Sequence, residues 1–350
     1  MNVHILAIMG FKTKIDLDVF KPNLPSTLLK HPRFSSLLVD LAIYNVETAD
    51  KFVEDYILNL SKTSIDKSMP LWDLHILNVN TSMAESVGIF RIHHSLGDGI
   101  SLMSLFLAST ALVLVKDSET PIKGPITSTS ENNPRRKVFN EHGFESKNIE
   151  KGITGKKNNL PVKIRVRSIL FINIRPSPGI QALADMMEKN TKAKWGNWLG
   201  FVILPLSIGL RDDPLDDIRE AKAMCDRKRH SLEALCSSGV AGFVFKFFGI
   251  KPASSLFLRL FTSTTLAFPN VVGPLEEIGF YGHPLAYLAA TTYGGQANEL
   301  MVSMQSYMNK MSVVLSVDEN TIPDPHQLCD DIIESLKFIK NSVVEKGLAK

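Results

Sequence analysis

Apolar positions along the chain recur with two different periods, and the changes of period mark its elements. Met1 to Gly10 is almost wholly apolar, and Phe11 and Ile15 continue it, which predicts a first strand. Leu17 to Leu29 holds Pro22 and Pro25, so only short helical turns fit there. Within Asp50 to Leu60, Phe52, Val53, Tyr56, Ile57 and Leu60 stand at helical spacing. Leu74 to Val79 and Ser86 to Ile92 read as two strands of a hairpin, and from Ile100 onward a continuous apolar run suits a packed helix.

Lys116 to Pro161 breaks the pattern with prolines, many Ser, Thr and Asn, and the basic run Arg135 to Lys137. It reads as a linker whose basic run is solvated surface. Patterning resumes with a strand over Ile164 to Ile174, stopped by Arg175-Pro176-Ser177-Pro178-Gly179. Helices are expected over Ile180 to Asn190 and Leu215 to Leu235, then strongly apolar stretches at Phe243 to Ile250 and Phe257 to Phe261. Leu266 to Phe268 precedes a tight turn, and Met301 to Tyr307 and Met311 to Val317 form two further candidate strands. A last helix starts at Asp324, an N-cap followed by Pro325 at the first helical position and Gln327 three after the cap. Leu328, Ile332, Leu336, Ile339 and Val343 give it one apolar stripe.

Strands mixed with helices indicate an α/β, mixed α+β, architecture. The division expected is an N-terminal domain over residues 1–116, a polar linker or degenerate segment over 117–160, and a C-terminal domain over 161–350. With 39 basic and 36 acidic residues the formal charge is +3, which gives no strong pull toward nucleic acid. Cys225, Cys236 and Cys329 form no CxxC unit, so neither a zinc knuckle nor a disulfide framework is suggested. The N-terminal apolar segment lacks a basic leader and a cleavage site. Trp195 to Leu210 and Ile100 to Val115 are the membrane candidates, but at about 16 residues each they fall short of the roughly 20 a spanning helix needs. Attachment to a membrane surface through an apolar patch fits them better.

The chemistry concentrates in His93-His94-Ser95-Leu96-Gly97-Asp98-Gly99. An imidazole near neutrality accepts a proton and returns it, and His94 follows an apolar strand at a glycine turn where a side chain can face a cleft. A base there can take the proton from an alcohol as its oxygen attacks a thioester, then protonate the departing thiolate. Asp98, four residues on, either orients the imidazole as in a triad or pairs with an arginine and holds the turn closed. Gly99 marks a position where a side chain does not fit. Metal binding by His93, His94 and Asp98 is disfavoured, because adjacent residues in a strand point oppositely. No ligand set for a zinc hydrolase is present.

The heptad resembles the HHxxxDG signature of the wax ester synthase/diacylglycerol acyltransferase family, and the chain resembles the plant O-acyltransferases of that family most. The resemblance rests on Arg91 to Leu107, Asn173 to Pro176, Lys192 to Pro214, Asn270-Val271-Val272-Gly273-Pro274, Gln305 to Lys310 and Pro323 to Asp331. It implies a two-domain, chloramphenicol acetyltransferase-like fold with mixed sheets. His94 then corresponds to the general base, His93 to the supporting histidine, and Asp98 to the aspartate that keeps the site in shape. Gly99 closes the motif, Arg175 is a structural partner for Asp98, and Asn270 and Gly273 lie near the substrate tunnel. Asn270 or a backbone N–H near Gly273 is then a candidate oxyanion donor.

Acyl-CoA is the implied co-substrate, with no permanently bound cofactor and no metal. A fatty alcohol or diacylglycerol is the acceptor, and wax ester or triacylglycerol the product. The resemblance also implies peripheral or weakly anchored attachment to the endoplasmic reticulum membrane, or the plasma membrane, in a plant. The chain departs from the family pattern by starting late. It also lacks the strand-rich stretch after Leu41, and its polar Phe139 to Leu160 stands where a helix and an Asn-Asp-Val motif belong. A shortened relative that binds lipid or acyl-CoA without turnover is therefore the competing expectation. Acyl transfer to a non-lipid alcohol or amine is a third.

Overall fold

A computed structural model describes residues 3–24, 39–40, 48–66, 68, 70–117, 164–175, 195–208, 213–294, 300–318 and 320–348. The linker expected over 117–160 and the helix expected over Ile180 to Asn190 lie outside the described residues, the linker except for its first residue. The elements in chain order are β1 (His4–Phe11), α1 (Leu17–Asn23), β2 (Val39–Asp40), α2 (Ala49–Ser61), β3 (Trp72–Leu77), β4 (Ser86–His93) and α3 (Gly99–Asp117). There follow β5 (Ile164–Asn173), β6 (Leu199–Ile208), α4 (Pro214–Arg229), α5 (Glu233–Phe248), α6 (Ile250–Thr262), β7 (Leu266–Phe268) and β8 (Asn270–Val271). The last are β9 (Gly279–Phe280), β10 (His283–Tyr293), β11 (Leu300–Tyr307), β12 (Lys310–Val317) and α7 (Pro325–Glu345).

These build two mixed sheets. The first has the order β2-β3-β4-β1-β10-β9 and the second β12-β11-β7-β5-β6, with β8 also paired to β11. β9 and β10 come from beyond residue 161, yet they complete the first sheet, where β10 runs antiparallel to β1. The sheets therefore do not follow the division of the chain at 161, because the register of β10 ties the last third of the sequence to the first strand.

Side-chain alternation sorts the first sheet into two apolar layers. Ile5, Ala7, Met9, Trp72, Leu74, Phe90 and Ile92 face one way and pack with Leu102, Met103 and Phe106 of α3. Leu6, Ile8, Leu77, Val87 and Ile89 face the other way and pack with Val53, Phe52 and Tyr56 of α2. β4 lies in the middle of this sheet, so its C-terminal end is held on both sides. The His93 amide donates to Leu71 O (2.8 Å), and the His94 amide to Val3 O (2.8 Å).

Two expectations are corrected. The apolar run Trp195 to Leu210 is no membrane helix, for its core is β6, an edge strand antiparallel to β5. A continuous apolar run has no period to separate a buried strand from a helix, and Pro205 within it suits an edge strand. The helix expected over Leu215 to Leu235 is two helices, α4 and α5, separated at His230 to Leu232. Asp213 caps α4 and Arg227, Lys228 and Arg229 fill its last turn, so α4 carries its own stop signal. Among the described residues no single helix is long and apolar enough to cross a membrane.

Candidate active site

The heptad is a hinge between β4 and α3. Asp98 is the N-cap of α3: its carboxylate Oδ1 accepts from Ser101 N (2.9 Å) and its carbonyl accepts from Leu102 N (3.0 Å). The same carboxylate is fully buried and meets Arg175, which arrives from the end of β5. Arg175 Nη2 lies 2.9 Å from each carboxylate oxygen, and Trp198 N donates to Oδ2 (3.0 Å). Arg175 is itself oriented by Asn173 Oδ1, which accepts from its Nη1 (3.0 Å) and its backbone amide (3.1 Å). Ser101 Oγ accepts from Arg175 Nη2 (2.9 Å) and donates to Gly196 O (3.1 Å). The side chains of Asp98 and Arg175 are 0% and 1% exposed, so this ion pair is desolvated, and it is satisfied by the amides of Ser101 and Trp198 on one side and by Asn173 Oδ1, Ser101 Oγ and Gly196 O on the other.

Both oxygens of Asp98 are thus occupied, and no hydrogen bond joins it to His94. Asp98 meets Arg175 and caps α3. The segment 195–198 completes the clasp from the second sheet. Trp195 Nε1 donates to Leu96 O (2.5 Å), and Asn197 Nδ2 donates to His94 O (3.0 Å). These contacts fix the backbone on both sides of His94. The sequence reading gave no role to Ser101, Trp195, Asn197 or Trp198. The one signal lay in Asp98, since an Asp just before an apolar run marks an N-cap and so points to the amides of the following turn, that of Ser101 among them.

His94 is closely surrounded by protein yet keeps part of its surface open. Desolvation pushes its imidazole below the ordinary value of 6.5, against smaller opposing effects from its own backbone and the Asp98 charge. The ring is therefore neutral at pH 7 and able to accept a proton. His93 stands on the α2 side of the sheet. Its Nδ1 accepts from Ser95 N (3.2 Å), which assigns the ring proton to Nε2, and Ser95 Oγ lies 2.7 Å from Nδ1. The His93 ring meets His4 edge-on at 5.2 Å, and His4 stacks on Tyr293 at 5.0 Å, a ladder across β4, β1 and β10.

Gly99 begins α3 against Val271. A Cβ there would come 2.7 Å from Val271 Cγ2, so the NVVGP turn packs directly on the motif. Gly273 is closer still, because its Cβ would sit 2.0 Å from Ser306 O. Gly273→Ala should destabilise the protein by about 1–3 kcal/mol, read as a lower denaturation midpoint; an unchanged midpoint would contradict this close approach. The Gly273 amide donates to Ser306 Oγ (3.1 Å). Asn270 opens β8, paired with Met304, and among the described residues its side chain has no hydrogen-bond partner. Gln305, opposite Val271, is 1% exposed and its Oε1 has no hydrogen-bond partner among the described residues. Among the described residues no group of three or more His, Cys, Asp or Glu is placed to hold a metal.

Two mixed sheets joined by a buried clasp beneath an HHxxxDG turn define a chloramphenicol acetyltransferase-like acyltransferase fold. Solved structures bear this out. The wax ester synthase/diacylglycerol acyltransferase from Marinobacter aquaeolei VT8 superposes with a TM-score of 0.53 at 15% identity, covering 98% of this chain and 95% of that one. The first condensation domain of the calcium-dependent antibiotic synthetase reaches 0.55 at 10% identity, covering 97% and 90%.

A family model described as WS/DGAT C-terminal domain matches residues 195–340. Wax ester synthase/diacylglycerol acyltransferase 4 of Arabidopsis thaliana is 35% identical, over 99% of this chain and 88% of the relative. Number 11 from the same plant is 35% identical over 99% and 93%. The chain belongs to the wax ester synthase/diacylglycerol acyltransferase family. The alignment with the first relative runs over 460 positions against 350 residues, so more than a hundred positions of that relative have no counterpart here.

Proposed function

We propose that this chain transfers a long-chain fatty acyl group from acyl-CoA to the hydroxyl of a fatty alcohol or diacylglycerol, with His94 as general base. The observation that carries this reading is a neutral, partly open imidazole on a turn whose backbone is clasped from both sheets. The alcohol oxygen attacks the thioester carbonyl while its proton passes to His94. The tetrahedral intermediate collapses, the C–S bond breaks, and His94 returns the proton to the thiolate, giving ester and free CoA. Holding both substrates at one turn supplies much of the rate. The uncommitted Asn270 amide serves as a donor to the oxyanion.

The acyl chain has an apolar path. A narrow crevice between α3 and the first sheet is lined by Met9, Leu74, Phe90, Phe106, Phe280 and Tyr281. Phe90 lies four strand residues before His94 and Phe106 eight helical residues after Asp98, which places this lining about 12–13 Å from the turn. Acceptors of this kind partition into bilayers, so the working place is a membrane surface, that of the endoplasmic reticulum.

The test is release of CoA from a long-chain acyl-CoA by purified protein with and without a fatty alcohol or diacylglycerol. Acceptor-dependent release supports the proposal, and release with short polar alcohols or amines alone redirects it to another acceptor class. The missing alignment positions favour a second reading, a relative that binds acyl-CoA without turnover. Binding by calorimetry with no acceptor-dependent release would establish that one.

A pH profile reads the base directly. Burial favours the neutral ring, so protonation waits for a lower pH than in a free histidine. The rate should hold steady as pH falls from 7 and drop only below the ordinary 6.5, as His94 gains its proton. An acid limb centred above 6.5 would remove His94 from this role.

A further inference from the structure

Helices α5 and α6 form a hairpin that is rooted at its ends and bare at its tip. At the root of α5, Ser237 Oγ donates to Phe201 O (3.0 Å) and accepts from Phe201 N (3.0 Å), while Glu233 Oε1 accepts from Ile203 N (2.9 Å). These bonds cover the outer edge of β6. At the far end of α6, Phe261 stacks on Phe171 of β5 at 5.8 Å, and Thr265 N donates to Arg167 O (2.9 Å). From Ser237 to Phe248 the helix advances about 16 Å along its axis.

Every residue from 245 to 252 at the tip is exposed. Four of them are large and apolar: Phe245 at 58%, Phe247 at 64%, Phe248 at 64% and Ile250 at 70%. Val240, Phe243, Leu256 and Leu258 extend the same surface along both helices. A patch of this kind on a folded protein marks a contact with something apolar. Charge identifies the occupant. Lys246, Lys251 and Arg259 interleave with the apolar residues, and Lys246 Nζ lies 5.8 Å from the Phe247 ring centre. The one carboxylate between Leu232 and Thr262, Glu233, is already paired with Lys228. Aromatic side chains beside cations, with no free acid, match acyl chains beneath anionic headgroups.

We infer that the α5–α6 hairpin docks the protein on an anionic lipid bilayer, with Phe245, Phe247, Phe248 and Ile250 entering the interface and Lys246 and Lys251 contacting the headgroups. The inference goes beyond the acyl-transfer reading and stands without it, because docking needs no substrate and no turnover.

The experiment is co-sedimentation of the full chain with vesicles of phosphatidylcholine alone, or mixed with phosphatidylglycerol, in the absence of acyl-CoA. Wild type should sediment with the mixed vesicles, and added salt should weaken it. The pair Lys246→Gln and Lys251→Gln should lose about 30-fold of that affinity, roughly fivefold for each lysine. The pair Phe247→Glu and Phe248→Glu should abolish binding to both vesicle types. These positions are exposed, and an unchanged circular dichroism spectrum checks that both variants fold. Wild type remaining in the supernatant with both vesicle types would overturn the inference. So would undiminished binding by the Glu pair, or a wild-type dimer in sedimentation velocity that the Glu pair dissolves, which would assign the patch to a second copy of the chain.

Discussion

Arg175→Ala should cost the protein about 3–5 kcal/mol of stability, a large share of the ~5–15 kcal/mol by which folded domains exceed their unfolded states. The reason is what it leaves behind. Asp98 stays fully buried between β4 and α3 with two backbone donors and no cation. Arg175→Lys should recover only part of the loss, since an ammonium cannot reach both carboxylate oxygens, Ser101 Oγ and Asn173 Oδ1 from one place. Removing both charges, as in Asp98→Asn with Arg175→Met, should cost less than Arg175→Ala alone, because no isolated charge remains. Urea denaturation of the four proteins measures this. A loss below about 1 kcal/mol for Arg175→Ala, the range of exposed pairs, would show that the clasp is wetter than its geometry.

His94→Ala should lower acceptor-dependent CoA release by about 10²–10⁴-fold, the range in which a positioned base contributes. Its effect on folding should be small beside that of Arg175→Ala. The His94 backbone amide still donates to Val3 O, and its carbonyl still accepts from Asn197, because neither bond uses the side chain. Acyl-CoA affinity should also persist. The two variants therefore separate chemistry from architecture: one folds and does not turn over, the other loses both together. Near wild-type turnover in His94→Ala would sink the general-base role.

Much of this was legible where the signal is local. The cap at Asp324 is in place, its side chain accepting from Gln327 N at 2.9 Å, and the β11–β12 hairpin runs as its pattern predicts. The strand–turn–helix around the heptad follows from Ser86 to Ile92, two glycines and an apolar run. What stayed hidden depends on residues distant in sequence or on backbone atoms. Trp198 reaches Asp98 through its N–H, and every residue but proline has one. The packing of Val271 on Gly99 joins positions that no period connects. β6 was misread because its residues suit either a buried strand or a helix. α4 and α5 were merged because an apolar count ignores the basic last turn between them.

The strand order of the first sheet also constrains the order of events during synthesis. β1 has β4 on one side from the first hundred residues, but its other neighbour, β10, ends at Tyr293. Until β10 has been made, β1 presents one open row of amides and carbonyls, an edge prone to pairing with the wrong strand. A nascent chain of this protein therefore carries β1 half-paired while more than half of the described strands are still to be made.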